Sequence, residues 1–178
     1  MTTKIFSKNA AYQKFEVLKT NRNKRLRYGE FFVEGVRNIN QAIKNGWGFS
    51  SLLYAEGAPL SNWARDCLKT IPTDMNYALS PALMRDLSAK EDVSELLAVV
   101  KMRGDRLDIK TLPDNPLLLL FDRPSNHGNL GTILRSSDAL GVDALVITGH
   151  AVDVYDPEVV SSSMGSFFNL PFLRMQVA

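Results

Sequence analysis

The stretch LLLLFDRPSNHGNLGTILRSSDALGVDALVITG, residues 117–149, decides the fold of the second half of the chain. It begins with a short, continuous apolar run, 117–121, which is typical of a fully buried parallel strand. The segment after it has apolar residues at helical spacing and ends at Gly141. The apolar run 143–149 predicts the next strand, so these elements form one βαβ unit. The helix residues expected to face its sheet are Leu130, Ile133, Leu134 and Leu140.

The residues after this unit predict a second helix, with a weaker helical pattern than the first, within DPEVVSSSMGSFFNLP (156–171). They also predict a third strand at FLRMQV (172–177). Before the unit, RGDRLDIKTLPDNP (103–116) is polar and holds two prolines, which is typical of a linker. We therefore expect a first domain over 1–104, a linker over 105–115, and a second domain over 116–178.

The first hundred residues alternate between strand and helix patterns, which predicts a small α/β domain. Strands are expected at EFFVEG (30–35), FSSLLYAEG (49–57), MNYALS (75–80) and SELLAVVKM (94–102). Helices are expected at 7–25, 36–46, 61–70 and 81–88, with Ser7, Ser61 and Ser80 as N-caps of the first, third and fourth. The apolar faces of the first two helices are Ala11, Phe15, Leu18 and marginally Val17, then Val36, Ile39, Ala42 and Ile43.

The composition is that of an ordinary soluble globular protein of 178 residues, with 45% hydrophobic and 22% charged residues. Cys67 is the single cysteine, which excludes an internal disulfide and a multi-cysteine zinc site. The sequence has neither an apolar stretch of about 18 residues nor a secretory signal. We expect a cytoplasmic protein without a metal ion.

Charge is distributed unevenly between the two halves. Residues 1–104 carry 16 Lys/Arg and 10 Asp/Glu, whereas residues 105–178 carry 5 and 9. Such asymmetry suggests that the first half meets a polyanion, although a solvated basic face explains the charge equally well. The basic segment KTNRNKRLR (19–27) has five cations and no acid. Its cations, Lys19, Arg22, Lys24, Arg25 and Arg27, are the candidate contacts for the phosphate backbone of a nucleic acid such as RNA.

Aromatic residues near the basic segment allow two interpretations. Tyr28 and Phe31 could accompany a phosphate backbone, or the segment could be a solvated turn with Phe31 in the core. Trp47 and Trp63 are expected to be core residues rather than stacking platforms.

The start of the helix in the βαβ unit is the candidate active site, because ligands of open α/β sheets bind at the carboxyl ends of the strands. Gly131 and Arg135 share one helix face, so the glycine would leave room for a substrate beside the guanidinium. Arginine binds phosphate bidentately, and Asn129 offers a donor and an acceptor. Each residue also has a structural explanation. Asn129 could cap the helix, Gly131 could permit close packing, and Arg135 could pair with Asp138.

The segment N-x-G-x-x-x-R at 129–135, followed by S-x-G-x-x-F-x-L-P at 163–171, resembles motifs of the SpoU-type RNA ribose methyltransferases of the SPOUT superfamily. The first half resembles that family's substrate-binding domain. The resemblance implies a small, ribosomal-protein-like α/β RNA-binding domain. It also implies the first part of a Rossmann-like, parallel-sheet methyltransferase domain, without its trefoil-knot segment.

The same resemblance implies methylation of a ribose 2′-hydroxyl in tRNA or rRNA by S-adenosylmethionine, with Asn129 and Arg135 as catalytic residues. Because a guanidinium does not give up its proton in proteins, we expect Arg135 to stabilise charge rather than to accept a proton. His127 is a competing base, since the ordinary pKa of histidine lies near 6.5. The family also forms homodimers through the methyltransferase domain.

Two features depart from the family pattern. Ser161 stands where the family usually carries arginine, and the later motifs that form the knot and hold S-adenosylmethionine are absent from 1–178. Cofactor-binding residues are therefore expected beyond Ala178. The alternative functions are a non-catalytic RNA-binding module with a truncated or degenerate methyltransferase half and, less favoured, a nucleotide-dependent enzyme. The latter lacks a G-x-G-x-x-G or G-x-x-x-x-G-K-[ST] loop.

Overall fold

A computed structural model of the chain describes residues 1–104, 107 and 109–175. The chain forms two compact units that divide between Met102 and Arg103. Residues 105, 106 and 108 of the predicted linker, and the last residues of the predicted third strand, lie outside the described residues. Both units combine strands with helices, so the predicted α/β class is confirmed.

The first unit is built on a five-stranded sheet in the order β1-β4-β3-β5-β2. Strands β1, β4 and β3 run parallel, whereas β5 is antiparallel to both of its neighbours. The strands are β1 (Thr2–Ile5), β2 (Glu30–Glu34), β3 (Phe49–Ala55), β4 (Asn76–Leu79) and β5 (Leu96–Lys101). The helices are α1 (Ala10–Thr20), α2 (Arg22–Tyr28), α3 (Val36–Lys44), α4 (Asn62–Thr70) and α5 (Pro81–Leu87).

Strand β1 is absent from the sequence-based prediction. Its four residues carry one buried side chain, Ile5, and therefore show no alternation of apolar and polar residues. It forms by parallel pairing with β4, which brings Thr2 opposite Asn76 and Ile5 opposite Leu79. This strand is specified by a partner more than 70 residues away along the chain, and local patterns do not show such a partner.

The single helix predicted over 7–25 is two helices. Asn21 has extended backbone torsions, so it ends α1, and its side-chain oxygen accepts a bond from Lys24 N and thereby caps α2. Asn9, rather than the predicted Ser7, caps α1 by accepting from Tyr12 N. The buried face of α1 is Tyr12, Phe15 and Leu18.

Other helix predictions in this unit have mixed outcomes. Ser61 and Ser80 cap α4 and α5 as predicted. On α3, Ile39 and Ala42 are buried, but Val36 and Ile43 are exposed, so the buried stripe of this helix is narrower than its apolar pattern. Four strands predicted in the first half are present as β2, β3, β4 and β5, with shifted ends.

The second unit holds three parallel strands in the order β6-β7-β8. Its elements are β6 (Leu118–Asp122), α6 (His127–Ala139), β7 (Ala144–Thr148), α7 (Pro157–Ser162) and β8 (Phe172–Met175), with short 3₁₀ turns at Ile109–Thr111 and Ser166–Phe168. The pairing of Leu118 with Ala144 and of Asp122 with Thr148 confirms the predicted βαβ unit. The parallel pairing of β8 with β7 confirms the predicted third strand.

Strand β6 is not the fully buried strand that its apolar run predicts. Among the described strands it pairs with β7 alone, and one of its faces is open, with Leu120 64% exposed. On α6, Leu130 and Leu134 are buried and Ile133 is partly buried. Leu140 is exposed instead of facing the sheet, because the helix ends at Ala139 and Leu140 is its C-cap.

Candidate active site and candidate RNA contacts

The N-terminus of α6 is capped by Asn126, not by Asn129. The side-chain oxygen of Asn126 accepts a 2.8 Å bond from the backbone N–H of Asn129. The Asn129 side chain is exposed and has no hydrogen-bond partner within the described part of the chain. The capping explanation for Asn129 is therefore wrong, and its amide is available to a ligand.

Arg135 is exposed on the same helix, and its guanidinium forms no hydrogen bond or ion pair with any residue that the structure describes. Asp138, the internal partner considered for it, instead accepts a 2.6 Å bond from the side-chain amide of Asn169. The pairing explanation for Arg135 is therefore wrong. An arginine that contributes no internal contact is free to bind an external anion.

Gly131 does not provide the predicted room for a substrate. It is buried, and a Cβ built on it would lie 1.9 Å from Ser162 Oγ and 2.5 Å from the backbone oxygen of Val159. Helix α7 therefore occupies the space that the missing side chain leaves. The close-packing explanation applies here, although the neighbour is a second helix rather than the sheet.

His127, the competing base, is the first residue of α6 and has a neighbour inside the protein. Its Nε2 lies 4.0 Å from Asp156 Oδ2, and Asp156 also caps α7 by accepting from Glu158 N at 3.0 Å. The histidine thus links the starts of α6 and α7. Its role as a proton acceptor stays a prediction.

The turn after α7 contains the second family-like motif. Ser163 is fully buried, donates to Val160 O at 2.8 Å and accepts from Phe167 N at 3.2 Å. Gly165 adopts a left-handed φ of 99°. Ser161, at the departure from the family pattern, is exposed and donates to Glu158 O at 3.1 Å. Ser163 and Gly165 thus shape the turn, whereas Ser161 lies at the surface.

Four residues at the carboxyl ends of β6 and β7 form a polar cluster that the sequence analysis missed. Asp122 accepts a 2.8 Å bond from Thr148 Oγ1 and a 2.7 Å bond from Arg123 Nε. The bonds from Arg123 and Thr148 hold the pKa of Asp122 below its usual range. The fourth residue, Gly149, lies against Arg123. The signal in the sequence was a charged pair placed directly after an apolar strand.

Two of the five candidate RNA contacts donate hydrogen bonds to backbone oxygens of the first unit. Arg25 is 2% exposed, and its Nη1 donates 3.0 Å bonds to the backbone oxygens of Leu18 and Lys19 in the last turn of α1. The Lys19 ammonium donates to Leu87 O and lies 5.8 Å from the centroid of the Phe32 ring. Burial lowers the pKa of Lys19. We therefore remove Arg25 and Lys19 from the candidate RNA contacts.

The other three candidates lie at the surface of α2. Arg22 and Arg27 are exposed and Lys24 is partly exposed. Tyr28 at the end of this helix is also exposed, and the Lys14 ammonium lies 5.1 Å from its ring centroid. We call Arg22, Lys24, Arg27 and Tyr28 the α2 surface.

The remaining aromatic candidates are not on the α2 surface. Phe31 is fully buried and packs edge-to-face against Trp47, with ring centroids 5.8 Å apart. Trp63 is partly buried and donates to Asn40 Oδ1 at 2.8 Å. Phe31 is thus a core residue, and the prediction for Trp47 is correct.

Replacing Arg25 by alanine is expected to destabilise the first unit by about 2 kcal/mol, because the buried carbonyl oxygen of Leu18 and the partly buried one of Lys19 lose a charged donor. Urea unfolding followed by circular dichroism measures this change. Arg27→Ala is the matched control on the same helix and should change stability by less than about 0.5 kcal/mol. Equal stabilities of the two variants would contradict the capping role of Arg25.

Both halves of the chain match known protein families. The family described as the SpoU L30e-like domain matches residues 9–98, half of the chain. The chain belongs to the SpoU methyltransferase family. The SpoU rRNA Methylase family matches residues 116–177, which include Asn129, Arg135 and the Ser163 turn.

Relatives of this SpoU chain include a 23S rRNA (uridine(2479)-2′-O)-methyltransferase of Streptomyces viridochromogenes. It is 47% identical over 173 residues, which are 97% of this chain and 60% of the relative. The human mitochondrial rRNA methyltransferase 3 is 30% identical over 159 residues, which are 84% of this chain and 36% of the relative. This SpoU chain therefore spans about 60% or less of these curated relatives.

Solved structures share the fold. The SpoU methyltransferase AviRb from Streptomyces viridochromogenes, in complex with the cofactor AdoMet, superposes with a TM-score of 0.86. It is 46% identical, and the match covers 95% of this SpoU chain and 64% of AviRb. An RNA 2′-O ribose methyltransferase superposes with a TM-score of 0.79 at 28% identity, over 98% of this chain and 66% of that one.

Two kinds of feature are absent from the described residues. No helix in that part of the chain is long and apolar enough to cross a membrane. Nor do His, Cys, Asp and Glu side chains within it form a group of three or more that could hold a metal ion.

Proposed function

We propose that this chain contributes the RNA-facing residues of an enzyme that methylates a ribose 2′-hydroxyl of ribosomal RNA, with S-adenosylmethionine as the methyl donor. The observation that carries the proposal is the pair Asn129 and Arg135. Both are polar, exposed residues of α6, and neither side chain has a partner among the described residues. The names of the relatives favour rRNA over tRNA as the acceptor.

The chemistry divides between donor and acceptor. S-adenosylmethionine supplies an electrophilic methyl group when bound: the sulfur–methyl bond breaks, the bond to the ribose oxygen forms, and the hydroxyl proton leaves. A Cβ at Gly149 would lie 2.6 Å from Arg123 Cγ, so a side chain of this chain takes up the room beside that glycine. We assign no described residue to the donor and derive only what this chain does to the acceptor.

Arg135 is not the base, because a guanidinium does not give up its proton in proteins and so has no site to accept another. It binds an RNA phosphate in its fork and stabilises the negative charge that develops on the attacking oxygen. Asn129 orients the ribose through its amide, which both donates and accepts. His127, two residues before Asn129, is the candidate acceptor of the proton.

A non-catalytic RNA-binding module is the second candidate function. Ser161 favours it, because its hydroxyl bonds to the backbone of Glu158 and supplies no cation where the family carries arginine. The deciding experiment incubates the whole enzyme that contains this chain with S-adenosylmethionine labelled in its methyl group and with either rRNA or tRNA. We expect label in rRNA. Binding of rRNA without transfer of label would support the binding module instead.

We propose that RNA is held through the α2 surface. Its cations can contact successive phosphates, and Tyr28 offers a ring on which a base can stack.

The double variant Lys24→Glu, Arg27→Glu is expected to weaken RNA binding and to flatten its dependence on salt. Loss of two phosphate contacts lowers the slope of log affinity against log salt by about 1.4 to 1.8. Filter binding over a series of salt concentrations measures the slope. The matched control Lys44→Glu, Lys69→Glu has the same change of charge at two exposed positions on α3 and α4. Equal losses in both variants would show that only net charge matters.

The family resemblance also implies a homodimer formed through the second unit and a cytoplasmic location, and we propose both. The exposed Leu118, Leu120 and Leu140 of that unit support an apolar contact. Sedimentation equilibrium of the full chain tests the dimer, and a monomer at all concentrations would contradict it.

A further inference from the structure

The cluster at the carboxyl ends of β6 and β7 has no role in the proposed function. It consists of Asp122, Arg123, Thr148 and Gly149, and we call it the carboxyl-edge cluster. Ligands of parallel sheets bind at this edge. The backbone of Arg123 joins it by donating to Thr148 O at 2.9 Å.

Arg123 has an unusual backbone conformation. Its φ is 47°, and Met164 is the one other non-glycine residue with positive φ in the part of the chain that the structure describes. This left-handed region is disfavoured for residues with a Cβ, and residues held there cluster at functional sites. Glycine or asparagine would adopt this backbone conformation with less strain. We therefore infer that the arginine side chain has a function at this position.

The surroundings of Arg123 fix the direction of its side chain. Asp122 Oδ2 accepts from Nε at 2.7 Å, and the other oxygen of Asp122 accepts from Thr148 Oγ1. Gly149 makes the approach possible, because a Cβ there would lie 2.6 Å from Arg123 Cγ. The arginine is thus bonded through its Nε edge. Its two Nη groups have no partner among the residues described.

We propose that Arg123 binds a phosphate of the RNA substrate, in addition to Arg135, with Asp122 as its positioning residue. Two parallel N–H groups match the oxygens of a phosphate. Both Asp122 oxygens are already engaged by Thr148 and Arg123, so they compete little for the outer N–H groups. The proposal rests on RNA being the substrate.

Exposure favours RNA over a small anionic ligand at this position. The Arg123 side chain is 72% exposed, whereas sites for small molecules are concave and enclose most of the ligand. An exposed side chain at the edge of the sheet can contact a phosphate of a large substrate without enclosing it. The carboxylate of S-adenosylmethionine is the small anion that the experiment must separate from RNA.

The test replaces Arg123 by glycine in the full chain. Glycine adopts the left-handed conformation freely, so the variant should melt at a higher temperature than the native protein. RNA affinity should fall about tenfold, as expected for the loss of charge-assisted hydrogen bonds. The salt slope should shrink by about 0.7 to 0.9, which corresponds to one phosphate contact.

Three further variants complete the design. Arg123→Asn removes the charge but tolerates the same backbone, so it should reproduce the loss of binding. Arg123→Lys keeps the charge but not the fork, so its slope should stay native while its affinity falls. Lys110→Ala removes one charge elsewhere in the second unit and should leave the slope native.

Native RNA affinity and slope in both Arg123→Gly and Arg123→Asn would overturn the inference and leave the proposed function standing. Native RNA binding with weakened binding of S-adenosylmethionine would overturn it too, by assigning Arg123 to the cofactor. If Arg123 binds RNA as proposed but the whole enzyme that contains this chain transfers no methyl group, the inference stands and the proposed function fails.

Discussion

Replacing Arg135 by alanine is expected to lower the rate of methyl transfer by about 100- to 1000-fold, the usual effect of removing a group that stabilises developing charge. The fold should not change, because the native guanidinium makes no hydrogen bond or ion pair with the described residues. The melting temperature should therefore stay within about 2 °C of the native value. Single-turnover methylation with excess enzyme measures the chemical step apart from product release.

Two controls separate catalysis from charge. Arg135→Lys keeps the positive charge but loses the planar fork, so it should recover only part of the rate. Ser136→Ala alters the next exposed residue on the helix and should transfer methyl groups at the native rate. An Arg135→Ala variant that methylates RNA normally would remove this residue from the active site.

Replacing Gly131 by alanine is expected to destabilise the second unit by about 2–3 kcal/mol. Rotation of the Ser162 side chain can relieve the 1.9 Å approach to its hydroxyl. The 2.5 Å approach to Val159 O can be relieved only if α7 moves, because that atom belongs to the backbone. This loss of stability is opposite to the effect of helix propensity, since alanine stabilises an exposed helix position relative to glycine.

Guanidinium unfolding of the second unit measures this effect. Gly104→Ala is the matched control, because a Cβ at that position meets nothing within 4 Å and its φ lies outside the left-handed range. We expect the control to be neutral or slightly stabilising. An equally stable Gly131→Ala variant would mean that α6 and α7 are farther apart than the structure places them.

The predictable features of this fold are the local ones. The βαβ unit follows from two apolar runs around a helical pattern, and the serine caps of α4 and α5 follow from side chains that bond within three residues. Asn129 and Arg135 were found as site candidates because a short motif carries them. Only the structure could show that neither side chain has a partner among the described residues.

The features that escaped prediction depend on distant neighbours. Strand β1 exists because β4 pairs with it, and the room beside Gly131 is closed by a helix about 30 residues later. Arg25 belongs to a run of cations, but the carbonyl oxygens at the end of α1 draw its side chain into the protein. A charge pattern cannot distinguish such a buried cap from an exposed contact.

The most direct test of the central claim identifies the methylated atom. Unmodified rRNA, transcribed in vitro, is incubated with S-adenosylmethionine and the whole enzyme that contains this chain, digested to nucleosides and analysed by mass spectrometry against standards. The account predicts one 2′-O-methylnucleoside that appears with native protein and not with Arg135→Ala. A methyl group on a base, or transfer that does not depend on Arg135, would contradict it.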